Sequence, residues 1–261
     1  MTHSKLERFE HILSRLEFDG KIVVSAIAEE LNVAPETIRR DFDELEQQHL
    51  LTRVHGGAVK FINLRKEPEF LRKMDMHREA KREIAKVAAM RISDGDTIAV
   101  DVGTTTVHIA DFLAEVNNVT VVTNSIAAAE RFNLAIEEKR MTGKVILLGG
   151  TTNPAQSSVS GSMTLEWLSK MNLDKAFLSC GGVDAGIVYD YDLDESLVSA
   201  RMVENSYSCI LLADHSKMNQ KSFYKICGLN ELSEVISNER YPVDWHGYDG
   251  TWTMVDGGMY K

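Results

Sequence analysis

Five short runs of apolar and β-branched residues constrain this chain more than any other feature: TIAVDV at 97–102, VTVVT at 119–123, KVILLGG at 144–150, KAFLSCGG at 175–182 and SCILLAD at 208–214. Between successive runs there is room for about one helix, and the last gap also holds a longer loop. Strand alternating with helix specifies a parallel sheet covered on both faces, because each parallel strand needs a crossover to bring the chain back. The expectation is an α/β domain over residues 77–261. It opens on an amphipathic helix from His77 to Ile92, apolar at Ile84, Val87, Ala88 and Ile92 and ended by Asp94-Gly95. In such a sheet, ligands bind outside the carboxyl ends of the strands.

The residues at those ends are polar or glycine. The first run leaves as Asp101-Val102-Gly103-Thr104-Thr105-Thr106 into a helix. Glycine allows a tight turn there, while free amides and three hydroxyls converge at a helix amino terminus to make an anion cradle. The second run leaves as Thr123-Asn124-Ser125 and the third at Gly149-Gly150. The fourth leaves as Gly181-Gly182-Val183-Asp184, followed by Asp190, Asp192, Asp194 and Glu195, and the fifth as Asp214-His215-Ser216-Lys217. Phosphate donors on one side and carboxylates on another suit a phosphorylated sugar or polyol. Taken singly, the threonine turn also reads as a helix cap and the acidic run as a solvated loop; taken together, the five ends point to a ligand crevice.

Upstream, helical spacing replaces the strand pattern. Leu6, Phe9, Leu13 and Leu16 mark an amphipathic helix ended near Gly20. Ser25 is placed to cap a second short helix bearing Ile27, Ala28 and Leu31, and Pro35 stands in the first turn of a third. In the third helix Ile38, Phe42 and Leu45 fall within about 60° of one another, so Thr37, Arg40, Asp43 and Gln47 face the other way, with Arg39 at the flank. Two adjacent cations at a helix start oppose its dipole, a penalty that a phosphate backbone would remove. Two short helices at a tight turn match a helix-turn-helix whose second member enters the major groove by its amino-terminal end. LLTRVHGGAVKF then reads as a β-hairpin turning at Gly56-Gly57, a wing that carries Arg53, His55 and Lys60. His55 reads equally well as a turn-capping side chain. The net charge of −10 does not oppose a nucleic-acid partner, because residues 1–66 hold 10 Lys and Arg against 11 Asp and Glu, and Gln47–Lys66 contains cations and no acid.

Thr37-Ile38-Arg39-Arg40-Asp41, then Leu45-Glu46, then Arg53-Val54-His55-Gly56-Gly57-Ala58 resemble the signature of the DeoR family of bacterial transcriptional repressors, with Arg8, Ile12, Gly20, Ala28 and Val33 in support. Three positions depart from it: His49 stands where the family usually has a helix-ending Gly, Ala34-Pro35 replaces the usual Ser cap, and Phe42 replaces Leu. They touch capping and packing rather than the groove face. The DxGTT, TN, GG, GxD and DxSK segments resemble the effector domain of the same family, so the likeness runs over nearly the whole chain. It implies a winged helix-turn-helix domain at 1–62, a linker at 63–76 and an α/β effector domain at 77–261 similar to ribose-5-phosphate isomerase and CoA-transferase-like folds. Double-stranded operator DNA would be met by Ser25, Thr37, Arg39, Arg40, Arg53, His55 and Lys60. The resemblance also implies phosphate at Gly103, Thr104, Thr105 and Thr106 with help from Asn124, sugar hydroxyls at Asp184, Asp192 or Glu195, and Lys217 near the anion. Asp101, Thr123, Gly150 and Gly181 belong to the same set of strand ends. The function implied is a repressor that works as a homo-oligomer, dimer or tetramer, and leaves its operator when the phosphorylated metabolite binds.

An isomerase-like or lyase-like enzyme with a DNA-binding arm could draw acid/base groups from Asp184, Glu195 and Lys217. A nonspecific nucleoid protein is opposed by the net acidity. Cys180, Cys209 and Cys227 form no CxxC pair, so they read as small buried hydrophobes, and neither metal nor cofactor is expected. With 44% hydrophobic and 26% charged residues the chain is neither collagen-like nor disordered. Its apolar stretches fall short of the roughly 18 residues of a membrane helix, which points to a cytoplasmic protein without membrane contact. The tail from Tyr241, with Trp245, Trp252 and Gly257-Gly258, reads either as a final strand or as an oligomer contact.

Overall fold

The computed structural model describes residues 4–48, 50–60 and 67–255, apart from the side chains of Glu17, Phe18 and Lys60. Its contacts divide the chain into two units, Met1–Asn63 and Leu64–Lys261.

In the first unit, helix α1 (Lys5–Asp19) starts on a capping box: the Glu7 amide donates to Ser4 Oγ at 3.3 Å, and the Ser4 amide donates to the Glu7 carboxylate at 2.7 Å. It stops at Gly20, whose φ of 68° is left-handed. Strand β1 (Lys21–Val23), helices α2 (Val24–Glu30) and α3 (Pro35–Gln47), and strands β2 (Leu51–Val54) and β3 (Gly57–Lys60) follow, the strands pairing antiparallel in the order β1-β3-β2. The helical stripes meet in a core of Ile12, Leu16, Ile27, Ile38, Phe42 and Leu45, closed by Leu51 and Ala58 of the sheet. Arg8 of α1 donates bidentately to Asp41 of α3 at 2.7 and 2.8 Å, and Asp41 is buried. This fork fixes the crossing of the two helices.

Several expectations need correction. Ser25 is the second residue of α2, not its cap; β1, unread in the sequence, runs straight into the helix, so the cap position is Val23 and carries no side-chain bond. The wing turns at His55-Gly56, one residue early: Gly56 takes φ 76°, while Gly57 already pairs with Val23 and Val54. Leu6 is exposed. Helix α3 begins on Ala34-Pro35 without a side-chain cap, Pro35 supplying a preset φ where no amide bond is needed. His49, the end of the wing at Phe61 and Ile62, and residues 63–66 of the expected linker lie outside the described residues.

In the second unit, α4 (Phe70–Asp75) and α5 (Arg78–Ala89) precede β4 (Thr97–Val100), β5 (Val116–Thr123), α6 (Ile126–Glu137) and β6 (Met141–Leu147). A hairpin of β7 (Thr151–Asn153) and β8 (Ser158–Ser160) leads to α7 (Ser162–Leu168) and β9 (Leu173–Leu178). Next come β10 (Gly182–Asp184), β11 (Ile187–Asp190), α8 (Leu193–Glu204), β12 (Ser206–Leu212), β13 (Tyr224–Gly228), β14 (Glu234–Ser237) and β15 (Thr251–Met254). Seven strands form one parallel sheet in the order β15-β14-β12-β9-β4-β5-β6, with an apolar cluster on each face. All five runs are strands of it, as expected of an α/β domain. The fourth run ends early, at Leu178, and its last glycine, Gly182, opens β10 of a separate antiparallel sheet, β10-β11-β13. The first strand leads not into an α-helix but into a 3-10 helix, Thr106–Phe112. Strand β14 escapes the sequence reading because EVIS offers only two apolar residues between a Glu and a Ser, and the tail supplies the last strand, β15. Beside it the Tyr241 ring meets Trp252 at 5.3 Å and both Trp245 and Tyr248 at 6.2 Å, and Tyr248 meets Trp252 at 6.3 Å, whereas Gly257-Gly258 lies outside the described residues.

The strand order dictates where a ligand can go. The chain grows outward from β4 to β6, returns to β9 on the other flank of β4, and grows outward again through β12 to β15. Crossovers on opposite sides leave a crevice beyond the carboxyl ends of β4 and β9.

Candidate functional site

The crevice lies at that reversal and is narrow, with about 20 Å³ free for the centre of a water-sized sphere. One wall is Val102, Gly103, Thr104 and Thr105 from the end of β4, Ser179 and Cys180 from the end of β9, and Leu212 of β12. Gly103 is required by close approach: a Cβ there would come within 2.3 Å of Ser179 Oγ. The other wall is Asp190 at the end of β11, Glu195 on α8, Lys217, Gln156 of the β7–β8 turn, and Glu67 and Lys73 from the segment that enters the domain.

Beneath the first wall a polar framework holds the strand ends. Asp101 is fully buried; one of its oxygens accepts from the Val102 amide at 2.9 Å and the other from Ser199 Oγ at 2.8 Å. Burial outweighs these bonds and lifts its carboxyl to about 8. Thr123 Oγ1 donates to the Val100 carbonyl at 2.6 Å, Asn124 Oδ1 accepts from the Val102 amide at 3.0 Å, and Thr106 Oγ1 donates back to the carbonyls of Asp101 and Gly103. Asn124 Nδ2 is buried and meets no hydrogen-bond partner among the described residues.

The second wall is titratable. Burial raises Glu195 to about 7, although Ser158 Oγ donates to it, and burial with the neighbouring charge of Glu67 raises Asp190 to about 6. Burial alone would lower Lys217, but Asp214 together with Tyr191, Cys180 and Asp190 outweighs that and raises it. Asp214 is in turn held below the usual carboxylate range: burial alone would raise it, but Lys217, the Ser216 amide at 2.9 Å and Lys81 outweigh that. Lys81 is buried, lowered by desolvation to about 8, and donates to the Lys73 carbonyl. A pocket of this kind offers donors for an anion and protonatable acceptors for hydroxyl groups.

Gly103, Thr104, Thr105, Glu195 and Lys217 thus line one crevice, and Asp101, Thr106, Thr123 and Asn124 brace it. Gly181 lies against it, where a Cβ would come within 2.9 Å of Asp190. Three residues stand apart from the lining: Gly150 serves a turn at φ 154° against Ser160 and Thr164, Asp184 pairs with Lys221 at 3.4 Å, and Asp192 caps α8 by accepting from the Glu195 amide at 3.0 Å. Glu67, Lys73, Gln156 and Ser179 were not legible as lining residues; they come from a segment that reads as linker, from a hairpin and from a strand end without a motif.

On the first unit, Arg39 and Arg40 are exposed on α3 with Thr37 partly exposed, and Ser25 and His55 are exposed on α2 and the wing turn. Arg39 donates to Glu36 at 2.8 Å, while Arg53 pairs with Asp43. The side chain of Lys60 lies outside the described residues.

Comparison with known proteins follows the same division. Residues 8–62 match the DeoR-like helix-turn-helix domain and residues 76–239 the DeoR C terminal sensor domain. An uncharacterized HTH-type transcriptional regulator of Staphylococcus epidermidis is 41% identical over 82% of this chain and 84% of its own length. The lactose phosphotransferase system repressor of Staphylococcus aureus is 34% identical over 89% of this chain and 92% of its own. Among solved structures, a D-ribose-5-phosphate isomerase in complex with phospho-erythronic acid aligns over 54% of each chain at 19% identity, with a TM-score of 0.38.

Proposed function

The chain belongs to the DeoR family of helix-turn-helix transcriptional regulators, and on that premise we propose that it represses a sugar or polyol catabolic operon and leaves its operator when a phosphorylated sugar or related metabolite binds. The observation that carries this reading is the crevice at the β4–β9 reversal, where the Gly103–Thr105 turn and Lys217 share a lining with Glu195 and Asp190. The turn and the lysine suit the anion, and the carboxyls suit the hydroxyls. The lactose phosphotransferase system repressor among the relatives supports a carbohydrate setting. A homo-oligomer would place two α3 helices at half-sites about one helical turn apart. Effector then acts only through unequal affinity for the operator-bound and released arrangements, about 10⁴-fold for a swing from 99:1 to 1:99.

The test is a thermal-shift screen of the full chain against phosphorylated sugars and polyols, followed by operator gel shifts with each hit. Ligand at 100 times its dissociation constant adds about 2.7 kcal/mol of stability. A screen without any stabilising compound sinks the sensing reading, and turnover of a hit would replace it with an isomerase-like enzyme.

A further inference from the structure

The segment that enters the second unit is docked into the crevice. The side chains of Glu67 and Lys73 form an ion pair there with only 13% and 16% of their surface exposed. Around them Gln156 Nε2 donates to the Pro68 carbonyl at 3.1 Å, the Phe70 amide donates to the Ala155 carbonyl at 2.8 Å, and the Phe70 ring is buried. As a source of stability this is a poor design. Among the described lining residues three carboxyl groups, Glu67, Asp190 and Glu195, share two amines, Lys73 and Lys217. Burying an ion pair costs desolvation that good geometry only just repays, and a surplus of like charge adds to it. Removing Glu67 would leave two carboxyls opposite two amines.

The arrangement makes sense as competition. A carboxylate presents oxygens and negative charge to a lysine much as a phosphate does. Resting on the reading of the crevice as a sugar-phosphate site, we propose that Glu67 is an internal competitor for the effector: the anionic group of the effector takes Lys73 from Glu67 and loosens the strap from Glu67 to Phe70. With Glu67 docked, an incoming anion meets an occupied amine and extra negative charge; with Glu67 released it meets a free amine. The effector therefore binds the two states unequally, which is the condition for any ligand to shift an equilibrium. Glu67 follows Lys60, the last described residue of the DNA-binding unit, by seven positions, so the change falls on the covalent path to that unit.

The full chain and its Glu67→Gln variant are titrated with inorganic phosphate and with glucose 6-phosphate at constant ionic strength, and amide hydrogen exchange is followed at Phe70. Glu67→Gln binds the probes roughly tenfold more tightly than wild type, within the range usual for coupled sites. In the wild type, saturating probe speeds exchange at the Phe70 amide, a measurement that needs no variant to fold. Equal or weaker binding by Glu67→Gln, or unchanged Phe70 exchange with probe bound, overturns the competition while leaving the crevice a ligand site. Loss of probe binding in Lys217→Met identifies the crevice as the place bound. If neither wild type nor Glu67→Gln binds either probe, the crevice reading fails and the competitor with it.

Discussion

At the residue scale, the exposed pair on α3 and the buried acid on α8 make opposite demands. Arg39 and Arg40 lie in solvent on a helix whose other face is core, so their loss leaves the packing untouched. The Arg39→Ala, Arg40→Ala double variant should melt within about 0.5 kcal/mol of wild type, yet lose about 1–3 kcal/mol of operator affinity for each base-edge contact removed. Retention of wild-type affinity in a gel shift would end the recognition-helix assignment. Glu195 behaves the other way. Its folded value of about 7 stands above an unfolded value of about 4.3, so the folded chain keeps a proton that the unfolded chain releases. Stability is fully present below about pH 4 and is lost as pH rises to about 7. Glu195→Gln removes that loss, at most about 4 kcal/mol at 1.4 kcal/mol per unit. Its melting temperature should therefore drop less between pH 5 and pH 8 than that of wild type, and an equal drop would show that the carboxyl is ionised in the folded state.

At the scale of elements, the two glycines of the wing do different work. Gly56 takes the positive φ of the turn, whereas Gly57 is needed because a Cβ would stand 2.1 Å from the Ile22 carbonyl oxygen across the β1–β3 pair. Gly57→Val should therefore push β1 from β3 and destabilise the first unit by about 1–3 kcal/mol, read by circular dichroism as an earlier melt and by gel shift as weaker operator binding. Unchanged melting would mean that β1 can yield. The motif Arg-x-His-Gly-Gly is legible in sequence as a turn, but the reason for its second glycine is not, since β1 is three residues long and gives no periodic signal. Asp41 teaches the same lesson: it stands inside the TIRRD motif beside the two exposed arginines, and the fold turns it inward to Arg8.

At the scale of the molecule, charge is divided by function. Residues 1–66 are nearly balanced, while the remainder carries most of the net −10, so operator affinity has to come from a few placed cations. Affinity should fall steeply with salt, at about 0.9 log units per decade for each phosphate neutralised, and the double arginine variant should show a slope shallower by up to about two; a slope near zero in wild type would remove phosphate contacts from the account. The amino-acid order alone was enough for the family and for a helix-turn-helix unit ahead of an α/β one, because periodicity, turn residues and motif spacing are local and a stretch of chain carries them without its neighbours. Folding was needed to show that Thr106 and Thr123 turn into the framework, that Asp184 and Asp192 are engaged outside the crevice lining, and that Glu67 and Lys73 enter the crevice. Those facts depend on which distant segments meet. Glu67 and Glu195 lie 128 positions apart, and no local pattern records that the sheet's reversal brings them to one wall.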